Sequence, residues 1–138
     1  MNQNYMLNVR GRLEIDSCVV NGRLSGRAAV YVAENGHCTM LSSTVEQAGT
    51  SGLVNAGGDV LLYENQFRLN RQCGVTLLAG SSVLRYNVLQ QNQQYGLRML
   101  LTSSADIERN DLRHNSLGAF DVEKDPVYLV KKANHVDN

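Results

Sequence analysis

Proline and tryptophan are what this sequence most plainly lacks: Pro126 is its single proline, and it has no tryptophan. With proline so scarce, almost every backbone N–H is available to a hydrogen-bonded ladder, and chain reversals fall to glycine, asparagine and serine. Long apolar runs are missing too. Nothing approaches the roughly 18 residues of a membrane span, and the start, MNQNYMLNVRGRLEID, lacks the basic-then-apolar plan of a secretory leader. Those absences predict no membrane partner and, with Met1 as the native start, an intracellular protein. An excess of one charge is also lacking. The 13 Lys and Arg balance 13 Asp and Glu, and no basic run exceeds Lys131–Lys132, which excludes the electrostatic footprint of a nucleic-acid binder. Cys18, Cys38 and Cys73 are an odd set without C-x-x-C spacing, suited to a reducing compartment rather than a disulfide framework.

What the sequence does have is a period. Gly52, Gly74, Gly96 and Gly118 stand 22 residues apart, and Gly26 precedes Gly52 by 26, the same register with an insertion near residues 27–29. Each glycine has the same upstream partners. Cys18, Ser43, Asn65, Asn87 and Asn110 form one column. An apolar column lies two residues later (Val20, Val45, Phe67, Leu89, Leu112) and another three earlier (Ile15, Met40, Leu62, Leu84, Ile107). Five residues after the first column come Arg23, Ala48, Asn70, Asn92 and Asn115. After the glycines, apolar segments open at Val30, Leu53, Val75, Leu97 and Ala119.

Three short segments of period two per 22-residue unit exclude helical repeats, which need apolar spacings of three and four and units of 33 residues or more. A leucine-rich repeat is the nearest rival, because VLLYENQF and ADIERNDL fit its central pattern. Its flanking leucines are missing, however: Gly57, Ala79 and Thr102 stand before the pattern, and Asn70, Asn92 and Asn115 after it. The reading is all-β: a right-handed parallel β-helix of about five to six coils, filling residues 1–138 as one domain, either whole or a fragment of a longer solenoid. Stacked coils repeat at about 4.8 Å, so equivalent asparagines lie one above another and pair their buried amides in a ladder. Asparagine tolerates the left-handed backbone expected at such corners. Those asparagines therefore hold the coil together, and Met40, Met99 and Cys18 read as core.

The segments AVYVAENGHCTM, VLRYNVLQQNQQYGL and ADIERNDLRHNSLGAF resemble the repeats of the carbohydrate-binding and sugar hydrolase, or pectin-lyase-like, superfamily over residues 7–122. The resemblance is greatest to the β-helix segments of F-box ubiquitin-ligase receptors and SHC SH2-domain-binding proteins. It implies the fold strongly and the activity weakly, since lyases, epimerases, hydrolases and adaptors share the repeat. Enzymes of the superfamily work on the outside of the coil with clustered carboxylates, some of which hold Ca²⁺.

The densest acidic group here is Asp121, Glu123 and Asp125 in DVEKDP, and these three are the catalytic candidates. Asp121 falls in the apolar column of Leu77 and Met99. Either the strand shifts so that Phe120 and Val122 face inward, the favoured reading, or Asp121 is a buried acid. Glu64 and Glu108 are expected on comparable faces two coils apart. His37, His114 and His135 lack helical i, i+4 partners and read as solvated turn residues, so no metal site is expected. By alternation, Tyr31, Val54, Thr76, Arg98 and Phe120 form an exposed column, with Arg85, Tyr86 and Tyr63 on a neighbouring face. Tyr31, Thr76, Arg98, Phe120, Arg85 and Tyr86 are the binding candidates.

Near-constant repeat length leaves little chain for a cleft, which favours a non-catalytic module that binds a protein or glycan along a lateral face and needs no cofactor. The alternatives are a polysaccharide-active lyase, hydrolase or epimerase, with Ca²⁺ as its cofactor, and a structural spacer. Unpaired strand edges at the two ends predict end-to-end self-association, blunted by VYLVKKANHVDN as a last strand with charges.

Overall fold

The computed structural model describes residues 5–123 and 128–137. The chain winds through three faces per turn. Its first coil comprises β1 (Tyr5–Val9), β2 (Arg12–Asp16) and β3 (Val19–Asn21), and its second β4 (Ala28–Val32), β5 (His37–Leu41) and β6 (Thr44–Glu46). From the third coil on, the first two faces merge into one long bent strand: β7 (Leu53–Tyr63) with β8 (Gln66–Arg68), β9 (Val75–Arg85) with β10 (Val88–Gln90), and β11 (Tyr95–Glu108). β12 (Gly118–Val122) and β13 (Tyr128–Lys132) begin the last coil. All pairings are parallel, in a nine-stranded sheet bent over two faces and a four-stranded sheet on the third. This is a parallel β-solenoid of about five turns, and no helix forms among the described residues. The three-faced parallel winding rules out the leucine-rich repeat.

The apolar columns fill the interior as their spacing predicts. Ile15, Met40, Leu62, Leu84 and Ile107 stack in register, as do Val30, Leu53, Val75 and Leu97. Phe67, Leu89 and Leu112 are fully buried on the third face. Each such side chain contributes about 1.5–3 kcal/mol by leaving water. At the C-terminal end the column above Ile107 is taken by Lys131, whose ammonium lies 4.6 Å from the Phe120 ring centre. A cation thus lies over an aromatic face at this level of the stack.

Both amide columns form ladders. Asn65 and Asn87 each donate a side-chain N–H to the Oδ1 of the next rung, at 3.1 and 3.0 Å, and the same Oδ1 accepts the backbone N–H of the rung below. The other side-chain N–H of Asn87 goes to the Leu62 carbonyl. Asn70, Asn92 and Asn115 repeat the arrangement. The left-handed backbone sits one residue earlier than expected. Ser42, Glu64, Tyr86 and Arg109 precede the first ladder, and Gln47, Leu69, Gln91 and His114 the second, all with φ between 48 and 65°. The asparagines themselves are not left-handed; their task is to satisfy the corner, and the preceding residue makes it.

The structure corrects the glycine column. Val30 pairs with Leu53 and Leu97 with Phe120, so Ala29 and Ala119 stand at the column's ends around Gly52, Gly74 and Gly96. Gly26 lies instead over Gly49, where a β-carbon on Gly49 would come within 2.0 Å of its nitrogen. Gly118 pairs with Tyr95, because the last full coil is one residue longer. Space between coils explains the three true members: a β-carbon on Gly52 or Gly74 would meet the next coil's carbonyl at 2.7 or 2.8 Å. Cys18 holds its ladder position, with its N–H bonded to Ser43 Oγ, but its side chain is exposed rather than core. Arg23 is also exposed, and Gly22 is what lies over Ala48. The terminal segment does form a strand, and it carries a rung absent from the predicted column: Asn134 Oδ1 accepts both N–H groups of Asn110 at 2.9 and 3.1 Å.

Candidate functional site

A shallow groove of about 510 Å³ runs across the outer side of the first face, lined by Thr50, Val54, Gln72, Leu78, Arg98 and Glu123 among others. Its position follows from strand alternation: Tyr31, Val54, Thr76, Arg98 and Asp121 are paired in register and project outward from successive coils. Asp121 therefore replaces Phe120 in the predicted exposed column. Phe120 and Val122 turn inward against the core, as the favoured reading of that strand expects, and Asp121 is not a buried acid. The longer last coil causes the shift. Phe120, named as a binding residue, is thereby removed from the groove.

Arg98 Nε donates to Asp121 Oδ2 at 2.9 Å, and its guanidinium carbon lies 5.8 Å from the Tyr95 ring centre. The side chains are 33% and 42% exposed, so the pair orients both groups without withdrawing them from solvent. Glu123 is two residues along the same strand direction, its N–H continuing the ladder to the Met99 carbonyl. Both carboxylates reach the groove, together with an apolar floor of Val54, Leu78 and Leu100. Thr76 contributes less than its sequence position implies, because its hydroxyl is buried in a 2.6 Å bond with Ser51. Asp125, the third acidic candidate, lies outside the described residues.

The remaining candidates are elsewhere. Arg85 lies on the second face with Asp106 at 3.0 Å and Glu108 at 3.9 Å. Tyr86 stands at the following corner, edge to face with Tyr63 at 5.5 Å. Glu64 shares that corner column with Tyr86 and Arg109, whereas Glu108 pairs with Arg85 on the strand, so the two glutamates are not on one column. His37 opens β5 rather than a turn, its Nδ1 3.1 Å from Asp59 Oδ2. Among the described residues no three His, Cys, Asp or Glu side chains come together as a metal site. Of the two described carboxylates in the groove, Asp121 is engaged by Arg98.

Two perturbed groups belong to the scaffold. Arg113 grips Asp111 through bonds of 2.9 and 2.8 Å, and this hydrogen bonding holds the carboxyl down at about 2. Burial pushes the Cys38 thiol up to about 11, which keeps it protonated and unreactive.

The groove carried no motif of its own in the sequence. Leu78, Leu100 and Gln72 occupy positions between the repeat columns, and their convergence depends on where the strands bend. The exposed column was the available signal, and the 23-residue steps Asn87 to Asn110 and Asn92 to Asn115 were the clue that Asp121 belongs to it.

Comparison with known proteins gives the same architecture. No curated protein matches the chain. The crystal structure of the periplasmic alginate epimerase AlgG is similar with a TM-score of 0.72 at 14% identity, covering 93% of this chain and 40% of that one. A single-substitution variant of AlgG gives the same values, and a double mutant gives a TM-score of 0.69 at 12% identity. The chain thus spans about 40% of the length of these structures, and at such identity the likeness is one of fold. The family model for a right handed beta helix region matches residues 5–138, and with the observed parallel coils and amide ladders this places the chain in the right-handed β-helix family.

Proposed function

We propose that this chain is the saccharide-binding β-helix of a polysaccharide-active protein, with the first-face groove as its site. One observation carries the reading: Arg98, Asp121 and Glu123 converge over the apolar floor of a groove that crosses several coils. An extended polymer can lie across stacked coils, its ring faces on Val54, Leu78 and Leu100 and its hydroxyls on the polar groups. The similarity to an alginate epimerase supports a polysaccharide over a protein ligand. Asp121 and Glu123, two residues apart, both line the groove, and two carboxylates at one sugar can serve as acid and base. In this reading Arg98 positions Asp121.

The test is binding and turnover with a polysaccharide panel, reading reducing ends, unsaturated products by ultraviolet absorbance and epimers by proton NMR. Saccharide binding lost in Leu100→Glu, with turnover lost in Asp121→Asn and Glu123→Gln, is the expected result. Absence of saccharide binding at millimolar concentration would refute it.

The non-catalytic reading, an adaptor for a protein partner, has one observation of its own. Tyr63 and Tyr86 form an exposed aromatic ridge beside Arg85, away from the groove, and aromatic and arginine side chains are common anchors of protein interfaces. The resemblance to F-box and SHC-binding adaptors rests on the repeat alone. Partner capture lost in Tyr86→Ala and retained in Asp121→Asn would favour this reading.

A further inference from the structure

On the second face the repeat leaves apolar side chains outside. Leu61 stands between Thr39 and Val83 in one outward column, and Tyr63 between Leu41 and Arg85 in the next. Leu61 and Tyr63 are each 39% exposed, and Tyr86 at the following corner is 47% exposed. Tyr63 meets Tyr86 edge to face at 5.5 Å. A shallow groove of about 300 Å³ runs beside Leu61 and Val83, its other wall formed by His37, Asp59 and Ser81.

Carboxylates surround this patch. Glu14 and Asp16 stand next to Thr39 and Leu41 in the first coil, Asp59 comes two residues before Leu61, and Glu64 directly follows Tyr63. Among the described residues, Asp16 accepts the Ser17 hydroxyl and Asp59 lies 3.1 Å from His37 Nδ1, while Glu14 and Glu64 make no ion pair. The arginines of the same strands are Arg12, at the start of β2, and Arg85, which Asp106 and Glu108 already hold at 3.0 and 3.9 Å. Lys131 and Lys132 belong to β13, three coils from β7. That is about 14 Å at 4.8 Å per coil, beyond the screening length of about 8 Å at physiological salt.

Size and charge together choose the occupant. The apolar patch covers three coils, about 10 Å along the axis, a small part of the roughly 800 Å² per partner that a stable interface between folded proteins takes. It matches a few anchoring side chains instead. A second copy presenting the same face would set carboxylates against carboxylates, which opposes self-pairing. On the protein-partner reading of the tyrosine ridge, and independently of the saccharide groove, we propose that the second face binds a short linear segment of another protein, with apolar anchors flanked by Lys and Arg. One anchor lies in the groove beside Leu61 and Val83 and another on the Tyr63–Tyr86 ridge. The flanking cations meet Glu14, Asp16 and Glu64.

Calorimetric titration of the full chain tests this with synthetic peptides that carry two apolar anchors at varied spacing and Lys/Arg, Ser/Gly or Asp/Glu flanks, and with chitosan oligomers as a cationic saccharide. The tightest Lys/Arg-flanked peptide should bind ten-fold or more tightly than its acidic counterpart, and weaken as salt is raised. Tyr63→Ala and Leu61→Ser should each lower its affinity ten-fold or more, Glu14→Lys and Glu64→Lys several-fold, and Leu100→Glu on the first face should leave it unchanged. Tyr63-dependent binding that is indifferent to the flanks and to Glu64→Lys would overturn the basic segment and leave the ridge as a protein site. Loss of binding in Leu100→Glu would put the peptide in the first-face groove and overturn the second-face site. Chitosan binding ahead of every peptide, or no peptide bound at millimolar concentration, would overturn the protein partner itself, whatever the first-face groove binds.

Discussion

Two kinds of corner turn this solenoid, and they solve the same problem differently. The corners flanking the four-stranded face are repeated devices: a left-handed residue, then an asparagine whose amide bonds the rungs on either side. The corner between the first and second faces has no amide ladder: Gly36, Gly58 and Gly80 stack there, a β-carbon on Gly58 or Gly80 coming within 2.3 or 2.2 Å of the preceding glycine's carbonyl oxygen, and Ser103 takes the place in the fifth coil. In the third coil Asn55 folds back on Gly57, Gly58 and Ser82. In the fourth Gly80 makes the bend at a φ of 80°, and in the fifth Ser103 Oγ binds the carbonyls of Leu77 and Leu100. Register slips at these bends, between Asn55 and Asp59 and between Met99 and Thr102. The difference teaches where variation is tolerated. A laddered corner must bond its neighbours, whereas the glycine corner requires only close approach of backbones, and Leu78, Leu100 and Glu123 beside it are the ones that shape the groove.

Substitutions can break this contrast. Asn87→Ala should have the largest effect, about 4 kcal/mol, because it strips partners from the Leu62 carbonyl, the Asn65 N–H groups and Asn110 Oδ1, all buried, at about 1–3 kcal/mol each with partial recovery. Urea unfolding at unchanged slope measures it. Asn55→Ala should cost less, about 2 kcal/mol, since two of its bonds reach Gly57 and Gly58 within three residues and half-buried Gly57 is open to replacement water. A larger loss there than at Asn87 would make the irregular corner the keystone. The smallest effect is expected at Glu64, which holds φ of 57° without being glycine. Glu64→Gly relieves about 1–2 kcal/mol of left-handed strain but frees the unfolded chain, for a net stabilisation of about 0.5 kcal/mol. Marked destabilisation would show that the Glu64 side chain, and not the backbone bend, is what the corner requires.

The same contrast explains what could be read before the fold was known. Ladder and core columns recur, so Asn65, Asn87, Phe67 and Leu89 declare themselves by spacing. Cys18 was misread as core because its column is defined by backbone contact: its N–H bonds Ser43 Oγ, while its thiol lies on the Asp16 carbonyl and is exposed. Gly118 was misread because glycine recurs at 22 residues by coincidence, while the asparagines, which bond between coils and so track them, had already stepped by 23. Asn134 stands 24 residues beyond Asn110, and that longer step concealed the final rung. The groove could not be read in this way, since Gln72, Leu78 and Leu100 belong to none of the columns that the spacing picks out.

Every rung of the first ladder makes the same bonds: each Oδ1 accepts from the coil before it, and each amide donates one N–H to the coil after it and the other to a carbonyl of the coil before. Inserting one further 22-residue unit between two such rungs creates no new class of contact. Gene duplication can therefore lengthen the protein by about 4.8 Å per copy without redesigning its interior. The length of the outer surface then becomes an evolvable quantity, adjusted by copy number while each new coil diverges freely.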